Sequence, residues 1–348
     1  MTDREDRLRC YRRQGGRHIP VDIAITRSVW LANDFAEVED LFATHPRLFP
    51  GWQPARPAGA QESFAPWQQA GINYTDSWGC VWRTAEDGMT GAVIHHPLAD
   101  WGALDAFVPP DPAHHWGWGP FDWEAEKERA DRVRSRGGLL TCGLRHGHTF
   151  LTLEYLRNYE NLVFDMVDHE PRLRTLIDLV ETFNRGLVER FTALRPDILM
   201  FPEDLGMQTG PMLSPEQFRT FIKPSYQRLM TRARACGAVV HVHSDGSILD
   251  LADDLIDAGA DVLNLQDLVN GIDRIGACLK GRVAIQLDVD RQSVTVHGTP
   301  GDVDALIREE VDKLASPAGG LALKYEVYAP TPVANIRAAI DAFEHYCF

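Results

Sequence analysis

A (β/α)8 barrel, the α/β TIM-barrel class, is the fold this sequence predicts, and three observations predict it. Short apolar runs rich in β-branched residues alternate with stretches at helical spacing, the pattern of a parallel sheet covered by helices. Counting those runs near residues 19, 71, 138, 197, 238, 261, 282 and 319 gives eight. Most of the runs stop on ionisable side chains just before a helix, the end where parallel α/β proteins carry their chemistry. Val239–Gly246, Val-Val-His-Val-His-Ser-Asp-Gly, is the sharpest example. An open doubly wound sheet is the alternative that the same alternation allows.

The elements follow in order. Residues 1–15 read as a charged helix, and Ile19–Ile25 as a first strand, with Pro20 acceptable at its start. Residues 30–70 are rich in Pro, Gly and aromatics with poor periodicity, and Gly71–Thr75 reads as a second strand. Residues 77–120 carry Trp78, Trp82, Trp101, Trp116 and Trp118, with a small β-meander expected over Gly79–Arg83 and Met89–His95. We therefore read residues 1–348 as one domain with an irregular, Trp/Pro-rich insertion or lid over about 30–135. Its tryptophans either line a substrate pocket or pack the insertion onto the body.

Beyond a charged helix near Trp123–Arg134 the alternation is regular. Gly138–Gly143 is a strand ending at Arg145-His146-Gly147-His148, and one long helix is expected to run to about Leu194. Ile198–Phe201 ends in Glu203-Asp204, and Ser214-Pro215-Glu216 opens the next helix with an N-cap and a first-position proline. Later strands end in His241/His243, Gln266-Asp267, Asp288 and Lys324-Tyr325-Glu326, and a helix from Pro332 closes the chain.

Composition narrows the function. Of 348 residues, 44% are hydrophobic and 24% charged, ordinary for a soluble globular protein. A net charge of −15, from 35 basic and 50 acidic residues, argues against nucleic acid or an anionic membrane as partner. Six cysteines without a C-x-x-C pair suit reduced thiols in a cytoplasmic protein. The charged N-terminus lacks a signal-peptide core, and no apolar run approaches the ~18 residues of a membrane span. Nucleotide-binding glycine loops and a G-x-S-x-G elbow are missing.

In a barrel the strand ends meet at one mouth, which would gather Arg145, His148, Glu203, Asp204, His241, His243, Asp245, Gln266, Asp267, Asp288, Tyr325 and Glu326. His241 and His243 share a strand face, so imidazole and carboxylate could hold a borderline divalent ion such as zinc. The competing reading is a hydrogen-bonded histidine pair. Glu203, Asp204 and Asp288 suit acid/base work, because crowded carboxylates raise one another's pKa. Alternatively one of them caps a helix or pairs with Arg145.

Four stretches carry a resemblance to a known family. They are Tyr74–Trp82 (Tyr-Thr-Asp-Ser-Trp-Gly-Cys-Val-Trp) and His96–Trp101; Pro202–Gln208 with Ser214-Pro215 and Lys223–Tyr226; and His243–Gly246 with Gln266, Asp288 and Gly298-Thr299-Pro300. Together they resemble the uroporphyrinogen decarboxylase-like superfamily, in the branch similar to cobalamin-linked methyltransferases. The porphyrin enzyme has an arginine-rich loop after its first strand; here Ile25–Trp30 leaves only Arg27 to stand in.

The resemblance implies a (β/α)8 barrel and zinc held by a His-x-Cys at the fifth strand and a Cys after the eighth. The corresponding positions here are His243, Asp245 and Tyr325 or Glu326, so oxygen replaces sulfur. The implied ligands of zinc or a similar divalent metal are His243, Asp245 or His241, and Glu326. The implied reaction moves a methyl group between a small O- or N-methylated compound and methylcobalamin or a related corrinoid on a separate protein. Glu203 or Asp204 would orient or protonate the leaving group, with Asp288 beside them, and Arg145 would hold a carboxylate. Asp76, Trp78, Trp82, His148, Gln208, Gln266 and Tyr325 would line the substrate site. A homodimer is expected by resemblance. The alternatives are a metal-free decarboxylase using Asp76 or Asp288, and a non-catalytic barrel that binds a small molecule or corrinoid.

Overall fold

Ten strands form among the described residues, and alternation of side chains across each one dictates what it contributes. In chain order they are β1 (Val21–Ile25), β2 (Asn73–Thr75), β3 (Val81–Arg83), β4 (Ala92–His95), β5 (Thr141–Gly143), β6 (Ile198–Pro202), β7 (Val239–Ser244), β8 (Val262–Gln266), β9 (Ala284–Asp288) and β10 (Leu321–Val327). The structure is a computed structural model that describes residues 3–53 and 64–348. Seven strands pair in parallel in the order β1-β10-β9-β8-β7-β6-β5, curling into the TIM-barrel class predicted from the strand count.

The count itself needs one correction. The run at residues 71–75 does not join the barrel; as β2 it pairs antiparallel with β3, and β3 with β4, in a separate three-stranded meander. Three residues of β2, mostly exposed, cannot supply the two buried faces of a barrel strand. Upstream, the segment expected to be irregular contains helices Arg27–Ala32 and Phe35–Thr44, the second capped by Asp34. The part of the expected lid at residues 54–63 lies outside the described residues. Likewise, the single long helix expected up to Leu194 is three helices, Phe150–Arg157, Tyr159–Val167 and Pro171–Ala193. Asn158, at φ 71°, breaks the first from the second, and Pro171 at a helix start opens the third.

Strand alternation divides the barrel into two packing systems. Leu199, Val240, Leu263, Ile285 and Leu323 point outward into the main core with the helices. Ile198, Val239, Val262, Ala284 and Ala322 point inward and pack with Leu8 and Tyr11 in a cluster of their own. The charged helix Asp3–Tyr11 therefore plugs the bottom of the barrel with two apolar side chains. It is tied down by Arg4 to Asp197 and by Arg7, which donates to Asp22 at 2.8 Å. Above this apolar floor the inward positions turn polar: His241, Asn264 and Gln286, then His243, Gln266 and Asp288. Polarity rises toward the C-terminal ends of the strands. No described helix is long and apolar enough to cross a membrane, and all six cysteines are unpaired.

One buried acid pair sits under the loops that follow β8 and β9. Glu310 of helix Pro300–Leu314 is fully buried, and burial, then the neighbouring Asp267 carboxyl, holds its pKa well above the ordinary value. Burial likewise pushes Asp267 up to about 6. A carboxyl whose folded pKa exceeds its unfolded value of about 4.3 binds its proton more tightly when folded. Stability is then complete below that value and falls as pH rises through the folded pKa. Glu310→Gln keeps the shape and removes the titration. It is expected to melt several degrees above the parent at pH 8, with the gain closing toward pH 4. Thermal scans across that range check this, and a gain independent of pH would contradict it.

Candidate active site

Two glycines bring the functional loops together. Gly206, four residues beyond β6, and Gly246, two beyond β7, lie backbone against backbone. A Cβ on Gly206 would come within 2.6 Å of the Gly246 carbonyl carbon, and one on Gly246 within 2.2 Å of that of Gly206. Gly246 also has φ +79°, so the second loop needs glycine on conformational grounds as well. This contact draws Asp204 and Asp245 into one cluster: the Asp245 N–H donates to Asp204 Oδ1 at 3.1 Å.

At the centre is His243, whose tautomer is dictated by its neighbour. The Asn264 amide donates from Nδ2 to the Gln286 carbonyl (2.9 Å) and to Asp288 Oδ1 (2.8 Å), which leaves its Oδ1 toward His243 Nδ1 at 2.7 Å. An amide oxygen only accepts, so Nδ1 carries the hydrogen and Nε2 presents a bare lone pair. That nitrogen lies 3.8 Å from Asp245 Oδ1 and 3.9 Å from Asp204 Oδ1. Donor atoms of His243, Asp245 and Asp288 fall within 4.8 Å of one another, and so do those of His146, Asp204 and His243. Asp288 Oδ2 is buried and has no hydrogen-bond partner. A lone pair, an orphaned carboxylate oxygen and a shared amide behind both suit a divalent ion held by His243, Asp245 and Asp288.

Around this centre two cations offset part of the carboxylate charge. Arg291 donates to Asp245 at 2.8 Å, and Lys324 stands 3.7 Å from Asp288 and 3.8 Å from Glu326. His146 and Asp204 form a pair at 3.2 Å. Burial acts to lower the His146 pKa, but the hydrogen bond to and charge of Asp204 outweigh it and raise the value. Burial acts to raise that of Asp204, and His146 more than offsets it.

Several residues expected at the mouth have other roles. Glu203 is fully buried and accepts N–H bonds from Thr149 (3.1 Å), Phe150 (3.0 Å) and Leu151 (2.9 Å) and the Tyr226 hydroxyl (2.6 Å). It caps helix Phe150–Arg157, where a carboxylate meets the unpaired N–H groups and the helix dipole. Arg145 does not await a substrate carboxylate; it is buried against Asp76 at 3.2 Å, with Gly117 and Thr152 taking further hydrogen bonds. Asp76 is used up as well, accepting from the Trp78 and Cys80 N–H groups and from Trp82 Nε1. Trp78 packs in the core against Phe107 and Phe183, and His148 is buried against Phe201 and Tyr226.

Two of the four expected metal ligands also fall elsewhere. His241 faces the barrel interior one layer below His243, and its Nε2 donates to Gln286 Oε1 at 2.6 Å. Gln286 in turn donates to Asp22 at 2.7 Å, so this histidine ends a polar string rooted in the plug helix. Burial drives its pKa down to about 4, and it stays neutral. Glu326 pairs with Arg291 and Lys324, each at 3.8 Å. Tyr325 lies on the outward face of β10 against Phe343, since the inward positions of that strand are Lys324 and Glu326.

Two cavities open at the mouth. One of about 310 Å³ is bordered by Gln208, Gln266, Asp288 and Arg291. The other, about 650 Å³, runs from His146 and Asp204 to the rings of the insertion, with Trp82 in its wall. His146 and Lys324 stand at strand ends in the sequence without marking themselves as site residues, and nothing in a strand-end count points to Asn264 or Arg291. The signal for Asn264 was present, because a polar residue stood in the inward register of an otherwise apolar strand.

Fold and site together define an α/β barrel whose mouth gathers imidazole, carboxylate and cationic side chains. The chain belongs to the uroporphyrinogen decarboxylase (URO-D) family, whose model matches residues 87–346. Among solved structures it is similar to a methyltransferase from Methanosarcina mazei, at 14% identity and TM-score 0.64, over 99% of this chain and 98% of that one. A B12-independent methionine synthase from Shewanella sp. matches over 63% of this chain and 64% of that one, at 13% identity and TM-score 0.39. At such identities the likeness shows the fold. No curated protein matches the sequence.

The two adjacent acids at the end of β6 should respond oppositely to mutation. Glu203→Ala strands three buried N–H groups and a hydroxyl, and is expected to cost on the order of 3–5 kcal/mol of stability. Asp204→Asn should cost less than about 1 kcal/mol, because its pair with His146 is half-exposed. Denaturant unfolding of the two variants checks the contrast, and equal losses would refute the division of labour.

Proposed function

We propose that this protein is a methyltransferase that moves a methyl group between a small O- or N-methylated compound and a corrinoid carried by a separate protein. The observation that carries the reading is the His243 Nε2 lone pair, freed by Asn264 and facing Asp245 beside the unpartnered oxygen of Asp288. His243, Asp245 and Asp288 would hold a zinc-like ion. When bound, such an ion supplies Lewis acidity toward the oxygen or nitrogen that bears the methyl group. The family membership and the full-length likeness to a methyltransferase barrel support the same reading.

The chain's own residues supply the rest. Transfer of a methyl group as a cation equivalent leaves an electron pair on the departing oxygen or nitrogen, which then needs a proton. His146, whose pKa burial acts to lower and the hydrogen bond to Asp204 raises on balance, borders the larger cavity and is the group placed to give that atom a proton. Arg291 offsets the Asp245 charge and fixes its carboxylate. The walls contributed by the insertion exclude water from the methyl group. In the alternative decarboxylase reading, Asp76 or Asp288 would stabilise a protonated substrate. Asp76 is already spent on Arg145 and the meander, which leaves Asp288 alone for that task.

Elemental analysis of protein purified without added metal is expected to find close to one divalent ion per chain, and none in His243→Ala. Asn264→Ser, which touches no metal itself, should weaken metal binding by roughly 10–100-fold by releasing the His243 ring. Spectral assays with methylcobalamin across thiols, phenols and amines test the transfer. Metal content unaltered by His243→Ala would sink the centre, and absence of any exchange would favour a non-catalytic binding barrel.

A further inference from the structure

The larger cavity is unusual in what lines it and in what does not. Trp67, Trp82, Trp118, Tyr155 and Tyr159 line it, and among the described residues its one unpaired charge-bearing side chain is Glu154, one turn into the helix that Glu203 caps. The rings are locked together. Trp67 stacks on Trp118 (5.3 Å between centroids, 13° between planes), and Trp82 meets Trp118 at 4.6 Å and Tyr155 edge-on at 4.6 Å. The Tyr159 hydroxyl donates to the Met212 carbonyl at 2.8 Å, which fixes that ring too. No lysine or arginine lines the cavity among the described residues, and its one other acid, Asp204, is already paired with His146.

The Glu154 carboxylate has no hydrogen-bond or ion-pair partner among the described residues, while its backbone carbonyl accepts from the Asn158 N–H. Burial alone pushes its carboxyl up to about 7, the mark of a group that has lost water and gained nothing in exchange. Ring faces attract cations, most strongly when both sides are dry, and an anion at the edge of a ring cluster adds directional attraction. The fold already uses these rings in that way. The Arg145 guanidinium, outside the cavity lining, lies 5.0 Å from the Trp118 centroid and 5.7 Å from that of Tyr155.

We infer that the aromatic cavity beside His146 and Asp204 is a binding site for an organic cation, with N-methylated ammonium compounds as the class that fits. A neutral methyl ether would use the rings but leave the Glu154 carboxylate without a counter-charge. A carboxylate-bearing ligand would meet Glu154 with like charge. His146 and Asp204 line the same cavity as Glu154 and the rings, so such a ligand would sit on the side of the mouth that holds this pair. That the cation donates a methyl group rests on the methyltransferase reading above; that it binds does not.

Calorimetric titration with choline and with its uncharged carbon isostere, 3,3-dimethyl-1-butanol, separates charge recognition from apolar filling. Choline is expected to bind at least tenfold more tightly than the isostere. Glu154→Gln should bring choline down to the level of the isostere, and Trp67→Ala should weaken it about tenfold, with circular dichroism and melting temperature unchanged in both. Equal affinity for the two probes, or choline affinity unmoved by Glu154→Gln, overturns the proposal. The same titration on His243→Ala keeps the two claims apart. Choline binding that persists in His243→Ala, where metal and methyl exchange are lost, upholds the cation site; a metal-replete parent that binds choline yet exchanges no methyl group with methylcobalamin refutes the methyltransferase reading and leaves the cation site standing. Loss of choline binding in metal-replete parent protein refutes the cation site alone.

Discussion

The active face of this barrel depends on one contact in which nothing intervenes: the backbone of Gly206 against the backbone of Gly246. Any side chain at either position would push the loops after β6 and β7 apart. Asp204 would then lose the Asp245 N–H, and the carboxylates would no longer flank His243. The geometry of the candidate site is thus set by the absence of two Cβ atoms, and the charged residues occupy what that absence makes available.

Beneath the loops, the barrel interior is graded. An apolar floor closed by Leu8 and Tyr11 gives way to amides and imidazoles, then to carboxylates and cations. The polar residues orient one another: Asp22 turns Gln286, Gln286 turns His241 in its own layer, and Asn264 turns His243 in the layer above. Such a stack is stable because nearly every buried donor finds an acceptor. Its exceptions, Asp288 Oδ2 at the mouth and His241 Nδ1 below it, stand out against that background, and only the first faces other metal-competent donors.

The insertion complements this rigid base. Asp76 ties the meander to the body through Arg145, and the tryptophans do two jobs that residue type alone does not distinguish. Trp78 serves the core alone, while Trp82 and Trp118 belong to that same core and, with the partly buried Trp67, also wall a cavity. Pairs of acids diverge in the same manner. Glu203 and Asp204 are adjacent in sequence, yet one is buried at a helix N-terminus and the other meets His146 in a half-exposed pair. Adjacent residues leave the end of a strand in different directions, so neighbours in the chain become strangers in the fold.

Taken alone, the sequence determined whatever rests on periodicity: parallel strands between helices, the long buried stripe of Pro171–Ala193, and the inward direction shared by His241 and His243. It also marked the mouth, because ionisable residues at strand ends have few other places to go. The tertiary structure alone decided which of those residues are spent. Arg145 and Asp76 cancel across 69 positions, Gln286 occupies His241 across 45, and Thr149 to Leu151 consume Glu203 across more than 50. Those partners meet through packing, and no local spacing records them. Hydrogen bonding is satisfied over distances in space, while motifs are read along the chain, and at this site the two orders differ.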